Sequence, residues 1–425
     1  MRSQVTNAAA REEWRHYWKL VLAATMGSGV ASVLLYSSGL LIQPVASEMG
    51  WSITQVSSGM LIMSVIGMML SPLAGVAIDR YGSRAIAMPG TIMFCVALAS
   101  LGLANRDIWV WWLLWTFVGA AGLLIKPTVW SRAISSRFDA ARGLALAVCL
   151  SGSGLFAAVV PFITISLIDA FGWRGAYGGL GLITGSLTIP IMWLFFFDGR
   201  EMTRDNSTIT THNVPIIPGV TFARGIRSRQ LYLLAAVAFL SGCSIIGLTV
   251  HFVPLAVELG FSRDEAAVWL MLIAILSLVG RLGTGMLLDR VNPALVTCVG
   301  IALPVVAAGF LLLLASHTYA VLIAVILIGL ATGSEHASIA YLATRYFGLR
   351  AFGALFGIIT SCLIAAVGVG PFVASYVRDR NGSYDDFLMA AMAAGVFCIL
   401  LLLGLGPLPE LDEPSEASRR NSQRL

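Results

Sequence analysis

Residues 75–80 read GVAIDR, and residues 285–290, which lie 210 positions later, read GMLLDR. The same offset relates EMGWS at 48–52 to ELGFS at 258–262. Four further glycine or proline pairs share this offset: Pro44 with Pro254, Gly119 with Gly329, Gly143 with Gly353, and Pro161 with Pro371. Helix-breaking residues and a charged dipeptide that recur at one register indicate two structural repeats with the same orientation.

The composition places both repeats in a membrane. The chain has 425 residues, of which 58% are hydrophobic and 12% are charged, and its mean hydropathy is +0.85. Soluble domains of this length carry about twice that share of charged residues. The net charge of +5 is explained by loops that face one side of a membrane, so it does not indicate a nucleic-acid partner.

Twelve apolar runs approach or exceed the roughly twenty residues that cross a bilayer. We predict these spans, numbered 1 to 12 in chain order, at 18–45, 54–78, 85–104, 108–131, 142–168, 175–197, 230–257, 265–288, 294–315, 318–344, 352–376 and 387–408. The fold class predicted is therefore an all-α integral membrane protein with twelve transmembrane helices in two parallel six-helix repeats. The predicted parts are an N-terminal segment 1–17, a bundle 18–197, an inter-bundle loop 198–229, a second bundle 230–408 and a tail 409–425.

The distribution of arginine and lysine predicts the orientation. Most of these residues fall in the termini and in the loops that lead from even to odd spans. Positively charged loops face the cytoplasm. We therefore expect both termini, the inter-bundle loop and the tail to be cytoplasmic, in a multi-pass protein of the bacterial inner (plasma) membrane.

The segment Gly75-Val-Ala-Ile-Asp79-Arg80-Tyr-Gly82-Ser-Arg84 resembles the signature of the loop between spans 2 and 3 in the major facilitator superfamily. The second copy, which ends at Asp289-Arg290, is degenerate. The resemblance implies a transporter that works by alternating access. Carboxylates and arginines at a helix end can pair in one conformation and separate in the other. The residues predicted to form such a latch are Gly75, Asp79, Arg80, Gly82, Arg84, Asp289 and Arg290.

Four segments narrow the resemblance to the monocarboxylate and oxalate–formate exchanger group of that superfamily. They are Gly50-Trp51-Ser52, Arg142-Gly143-Leu-Ala-Leu-Ala, Gly172-Trp173-Arg174, and Arg281 in span 8. This group places its carboxylate-binding arginine at the position of Arg281. The resemblance therefore implies a small organic anion as substrate.

Four ionisable residues lie deep within spans: Lys126 in span 4, Arg281 in span 8, and Glu335 and His336 in span 10. Charges in hydrocarbon cost about 2.5–3.5 kcal/mol each, so such residues face a cavity or one another. At the helical rise of about 1.5 Å per residue, three of the spans place a charge roughly 25 Å from the outer end. Lys126 and His336 are also repeat partners.

We predict that Arg281 and Lys126 form a positive floor for an anion in the cleft between the bundles. Arginine offers a planar fork for a carboxylate, and lysine adds a compact charge. Tyr36 is a candidate hydrogen-bond donor, and Trp130 is a candidate aromatic wall. The alternatives are that Lys126 extends to the cytoplasmic interface and that Arg281 pairs with Glu335 to hold helices together.

Glu335 and His336 are the candidates for proton coupling, because histidine titrates near neutrality. The alternative is a hydrogen bond between helices with no role in transport. Adjacent residues on a helix point about 100° apart, so the two side chains need not face the same space.

The function predicted is proton-coupled symport of a monocarboxylate or aromatic carboxylate. The alternatives are anion exchange on the same fold, then efflux of drugs or amphiphiles, and then a membrane sensor that does not transport. The glycine–proline motif of drug–proton antiporters is missing from span 5, since six residues separate Gly154 from Pro161. The partners expected are the anion, a proton or counter-anion, and lipid, without a cofactor or nucleic acid. Nothing in the sequence has the spacing of a metal site, a nucleophile elbow or a cofactor loop, so we do not expect an enzyme.

Overall fold

The computed structural model describes residues 2–138, 141–197, 219–288, 290–314, 317–348 and 351–406, and their side chains except those of 2–9, 71–76, 79, 142 and 143. Within these residues the fold is helical. Eleven helical stretches are long and apolar enough to cross a bilayer, and one of them, 144–195, bends at Gly172 into two spans. The prediction of twelve transmembrane helices is confirmed.

The helices follow the predicted order. Spans 1 to 3 are Arg2–Met49, Ile53–Tyr81 and Ser83–Ser100. Span 4 consists of Ile108–Gly122, the 3₁₀ turn Leu123–Ile125 and Pro127–Ser135. Spans 5 and 6 are the two arms of Arg142–Phe195, and the short helix Phe222–Gly225 precedes the second repeat. Spans 7 to 12 are Arg229–Glu258, Arg263–Leu288, Pro293–Leu313, Thr318–Phe347, Phe352–Asn381 and Asp385–Leu403.

The repeat extends to the tight turns that join the spans. Gly50 and Gly260 have φ angles of 71° and 92°, and Gly172 and Gly382 have φ angles of 66° and 81°. Both pairs are separated by the 210-residue offset. Positive φ is accessible to glycine without the steric cost that other residues meet. In both halves the chain therefore reverses direction at a glycine with positive φ.

The two bundles meet along three pairs of spans: 2 with 11, 5 with 8, and 1 with 7. The first two pairs are equivalent under the repeat. A Cβ atom at Gly39 in span 1 would collide with the carbonyl of Val250 in span 7, and one at Gly368 in span 11 would collide with Ser64 in span 2. The absence of side chains at Gly39 and Gly368 lets the backbones of opposite bundles approach closely.

Span 4 departs from the prediction at Lys126. The predicted depth of Lys126 requires one continuous helix, but the first helix of span 4 ends at Gly122, and the backbone of Lys126 is extended, with φ −61° and ψ 153°. Pro127 then opens the second helix. A proline disfavours the helical conformation of the residue before it, and it is well suited to the first position of a helix. The Lys126-Pro127 pair therefore divides the span.

Candidate functional site

The bundles are joined at the side of the membrane away from the chain termini, which we call the far side. Asp379, near the end of span 11, accepts hydrogen bonds from the backbone N–H groups of Ile53 and Thr54 at 3.2 and 2.6 Å. It also accepts one from the Thr54 hydroxyl at 2.6 Å. A carboxylate of one bundle thus caps the N-terminus of span 2 in the other, where the helix dipole favours negative charge.

A second contact at the far side is related to the first by the repeat. Asp169 of span 5 and Arg263 of span 8 occupy the positions equivalent to Asp379 and Ile53. Their charged atoms lie 3.8 Å apart, and the Arg263 guanidinium also donates to the carbonyl of Leu40 at 3.3 Å. We call the lines of contact between spans 2 and 11 and between spans 5 and 8 the two seams. Both seams are therefore bridged at this end, and the contacts are shorter at the span 2–11 seam.

A buried hydrogen-bond network supports the span 2–11 seam. The Ser375 hydroxyl of span 11 donates to the Ser57 hydroxyl of span 2 at 2.6 Å. His251 contacts Ser375 and the Pro371 carbonyl through Nε2, each at 3.0 Å, and the Tyr384 hydroxyl through Nδ1 at 2.9 Å. Burial, with the nearby carboxylate of Glu258, raises the pKa of Tyr384, so its hydroxyl stays protonated beside His251. The histidine is thereby oriented as part of the seam.

Replacement of Asp379 by alanine should shift the molecule toward a form open at the far side. Loss of a helix cap costs about 1–2 kcal/mol, which changes the ratio of two conformations roughly 5- to 30-fold. Spin labels on exposed Ser47 and Val257, at the far ends of spans 1 and 7, would report a longer distance. The matched control is Asp169→Ala, because an exposed pair at 3.8 Å contributes little. Equal effects of the two substitutions would contradict this assignment.

The half of the interface nearer the termini keeps accessible polar groups. Arg281 is partly exposed and His336 is exposed, and the two side chains lie within electrostatic range of each other. Tyr36 of span 1 lies near Arg281 and near Ser277, which is one turn before Arg281 in span 8. The structure thus brings together Arg281, His336 and Ser277 from one bundle and Tyr36 from the other. The interface is bridged at the far side, whereas Arg281 and His336, in its other half, are partly exposed and exposed, respectively.

Lys126 lies at the break in span 4 and is partly exposed. Its ammonium group donates to the carbonyl of Gly67 in span 2 at 3.4 Å. Gly67 in turn faces Ile364 of span 11, 3.3 Å from where a Cβ would lie. Lys126 is therefore anchored on the first bundle, close to the seam, at the N-terminus of the helix that begins with Pro127.

Glu335 faces away from the group formed by Arg281, His336, Ser277 and Tyr36. It is 6% exposed, and its Oε1 lies 2.5 Å from the hydroxyl oxygen of Ser241 in span 7, within the second bundle. Its neighbour His336 points toward Arg281. The two candidates for proton coupling thus lie on different faces of span 10, and the Arg281–Glu335 pair considered from the sequence is not among the salt bridges of the described residues.

Trp130 does not reach the space between the bundles. Its side chain is completely buried, with its ring against Gly27 and at 5.3 Å from that of Phe196, and its N–H donates to the carbonyl of Ile125 at 2.9 Å. Any Cβ at position 27 would enter the indole ring. The position predicted for an aromatic wall is instead part of the packing between spans 1, 4 and 6, and we do not include it in the site.

The loop between spans 2 and 3 is described in part. Gly82 has a φ of 88° and separates the two helices, and the Arg84 guanidinium lies over Phe197 and donates to the Trp193 carbonyl at 3.3 Å, both in the first bundle. Arg80 lies over the ring of Tyr81. Gly75 lies in the helix of span 2, the side chain of Asp79 and all of Asp289 are outside the described parts of the chain, and Arg290 is exposed. The latch stays a prediction.

Sequence reasoning missed Ser277 and Asp379. The spacing of Ser277 from Arg281 could have identified it, since it lies one helical turn away on the same face of span 8. Asp379 follows Arg378 at the end of an apolar run, where a charge usually marks only the membrane boundary. Its contact with Thr54 joins residues 325 positions apart, and no local pattern indicates it.

Two six-helix bundles that are bridged at one end and carry buried polar groups between them define the class of this protein, a membrane transporter. Residues 21–312 match the family model described as Major Facilitator Superfamily. The chain belongs to the major facilitator superfamily.

Among curated proteins, the chain is similar to Monocarboxylate transporter 2 of Rattus norvegicus, with 22% identity over 89% of this chain and 80% of that protein. It is 26% identical to the Probable sulfoacetate transporter SauU of Cupriavidus necator, over 81% of this chain and 83% of that protein. The Oxalate:formate antiporter of Oxalobacter formigenes is 28% identical over 46% of each chain. The resemblance to the monocarboxylate and oxalate–formate group is confirmed, and these relatives are transporters rather than enzymes.

Solved structures show the same fold. A mutant form of the nucleoside transporter NupG superposes with a TM-score of 0.72 at 10% identity, over 91% of this chain and all of that one. A bacterial homolog of the human lysosomal transporter Spinster gives a TM-score of 0.65 at 16% identity, over 91% and 94% of the two chains. At these identities the likeness concerns the fold alone.

Proposed function

We propose that this chain is a secondary active transporter that moves a small organic anion, a monocarboxylate or an aromatic carboxylate, by alternating access. The bundles 18–197 and 230–408 are the two bodies that move against each other. The observation that carries the proposal is the placement of Arg281, a partly exposed cation deep within span 8, opposite Tyr36 of the other bundle.

The chemistry of this group favours a carboxylate. The Arg281 guanidinium offers two parallel N–H donors that match the two carboxylate oxygens, and the Tyr36 and Ser277 hydroxyls add hydrogen-bonding groups from both bundles. Lys126, at the positive end of the helix that begins with Pro127, adds a second cation to the same half of the interface. An anion that contacts both bundles stabilises the form in which they close around it, as alternating access requires.

The names of the relatives support an anionic substrate, since they concern a monocarboxylate, oxalate and formate, and sulfoacetate. Proton symport is our first assignment of coupling, with Glu335 and His336 as candidate carriers. Exchange of anions is the second, favoured by the similarity to an oxalate:formate antiporter. We place the protein in the bacterial inner membrane with both termini in the cytoplasm, so that the accessible side of the interface is cytoplasmic.

Uptake by proteoliposomes tests the function and its coupling together. Purified protein is first screened by thermal shift against monocarboxylates, dicarboxylates and sulfonates, because a ligand at 100 times its Kd stabilises by about 2.7 kcal/mol. A labelled anion selected in this way should then accumulate when the external pH is below the internal pH. Counterflow against a loaded anion, without any response to the pH gradient, would establish exchange instead. Uptake of bulky cations that tolerates loss of Arg281 would contradict the proposal.

A further inference from the structure

Glu335 lines a small cavity inside the second bundle, on a different face of span 10 from His336. The cavity has a volume of about 10 Å³ and lies between spans 7, 9 and 10. A space of this size holds one water molecule. The polar groups around it are the Glu335 carboxyl and the hydroxyls of Ser241, Thr297, Ser334 and Ser338.

The hydrogen bonds of Ser241 indicate where a proton lies. Its hydroxyl oxygen is 2.7 Å from the Val237 carbonyl and 2.5 Å from Glu335 Oε1. A hydroxyl has one proton to donate. When that proton goes to the carbonyl, the shorter contact requires Glu335 to be the donor, which makes Glu335 a neutral carboxylic acid. The alternative is an ionised carboxylate with no cation against it among the described residues, which is costly at 6% exposure.

Ser338 supplies a second, independent observation. Its hydroxyl is 2% exposed, lines the cavity, and has no hydrogen-bond partner within the described protein atoms. It lies one turn beyond Glu335 on the same face of span 10. Buried hydroxyls almost always have a partner, and a polar cavity of water size beside one is where a water molecule provides it.

We infer that Glu335 is the site that holds the coupling proton, and that one water molecule, bound between Glu335 and Ser338, carries the proton to and from it. On release the carboxyl O–H bond breaks and the proton passes to the water, which leaves as hydronium and is replaced by a neutral water. The carboxylate then accepts hydrogen bonds from Ser241 and from that water. This inference rests on the proposed proton-coupled function.

The surroundings of Glu335 assign the proton to this residue. The other titratable groups near it are the thiols of Cys243 in span 7 and Cys398 in span 12. His336 points about 100° around span 10 from Glu335 and lies within electrostatic range of Arg281. Proton and anion thus occupy separate spaces beside different faces of one helix, and protonation acts on the anion site through span 10 rather than by contact with the substrate.

Infrared spectroscopy of the full-length protein in lipid tests the proton site without reference to transport. At neutral pH the wild type should show the carbonyl stretch of a protonated carboxylic acid. Glu335→Gln should lose this band, while Glu12→Gln, at an exposed carboxylate, should keep it. Ser338→Ala should keep the band but shift it. A band that is missing from the wild type, or that persists in Glu335→Gln, would overturn the inference and leave anion transport untouched.

Uptake measurements test the role in coupling. Glu335→Gln should abolish accumulation driven by a pH gradient while counterflow falls less than about threefold, and Ser338→Ala should slow the driven uptake about tenfold, the effect of one lost hydrogen bond. Driven accumulation that survives in Glu335→Gln would overturn the inference. If the wild type itself shows counterflow but no response to the gradient, it is the proposed symport that fails, and the infrared result separates the two cases.

Discussion

A disulfide between cysteines placed at Ser57 and Ser375 should stop transport completely, and reduction should restore it. The two hydroxyl oxygens lie 2.6 Å apart across the seam between the bundles. A disulfide has an S–S length of about 2.05 Å, so the two side chains need only a small adjustment to form it. Because alternating access separates the bundles at this seam, a covalent bond there holds the protein closed at the far side.

The double substitution is made in a background without the six native cysteines. Uptake of the labelled anion by proteoliposomes is measured after oxidation and again after addition of reductant, and cross-linking is followed by mobility on a gel. Each single cysteine variant is a control, since Ser375 also contacts His251 and its loss alone can slow transport. Full transport by a completely cross-linked protein would show that this seam does not open during the cycle.

Replacement of Arg281 by alanine should weaken binding of the carboxylate about 100-fold, because two hydrogen bonds to a charged group together contribute roughly 3 kcal/mol. The guanidinium is the group in the site that matches both carboxylate oxygens at once. The expected result in proteoliposomes is the loss of uptake at substrate concentrations that nearly saturate the wild type.

Arg281→Lys is the matched control for this substitution. Lysine keeps the charge but lacks the planar fork, so it should restore part of the affinity and less than the wild-type value. Melting temperature in detergent without substrate separates loss of binding from loss of folding, because a folded variant melts cooperatively and simply loses its shift with carboxylate. Wild-type affinity in Arg281→Ala would remove Arg281 from the site.

The proposed site is a case in which the sequence identifies the candidate residues and packing selects among them. Arg281 and His336 stand out because charges within apolar runs are rare. Glu335 stands out for the same reason, yet its carboxyl belongs to another compartment. The helical angle of about 100° per residue predicts that neighbours diverge, but it does not predict which of them faces the other bundle.

The sequence around Lys126 contains a signal for the break in span 4. A proline follows Lys126, and the residue before a proline avoids the helical conformation. That rule predicts a break in span 4 at this position, whereas its repeat partner His336 is followed by alanine and lies in the unbroken helix Thr318–Phe347. The repeat thus relates the positions of the two residues but not their backbone conformations.

The sequence by itself determined the twelve spans and their arrangement as two repeats, and it also brought out the buried charges. These properties depend on the local run of apolar residues and on helix-breaking residues that recur at one offset. The tertiary structure decided that the far side is closed, that Glu335 and His336 face different spaces, and that Trp130 is packed inside a bundle. The physical reason is that these features arise from contacts between residues distant in the chain, such as Thr54 and Asp379 at 2.6 Å, whose partners are chosen only when the helices pack.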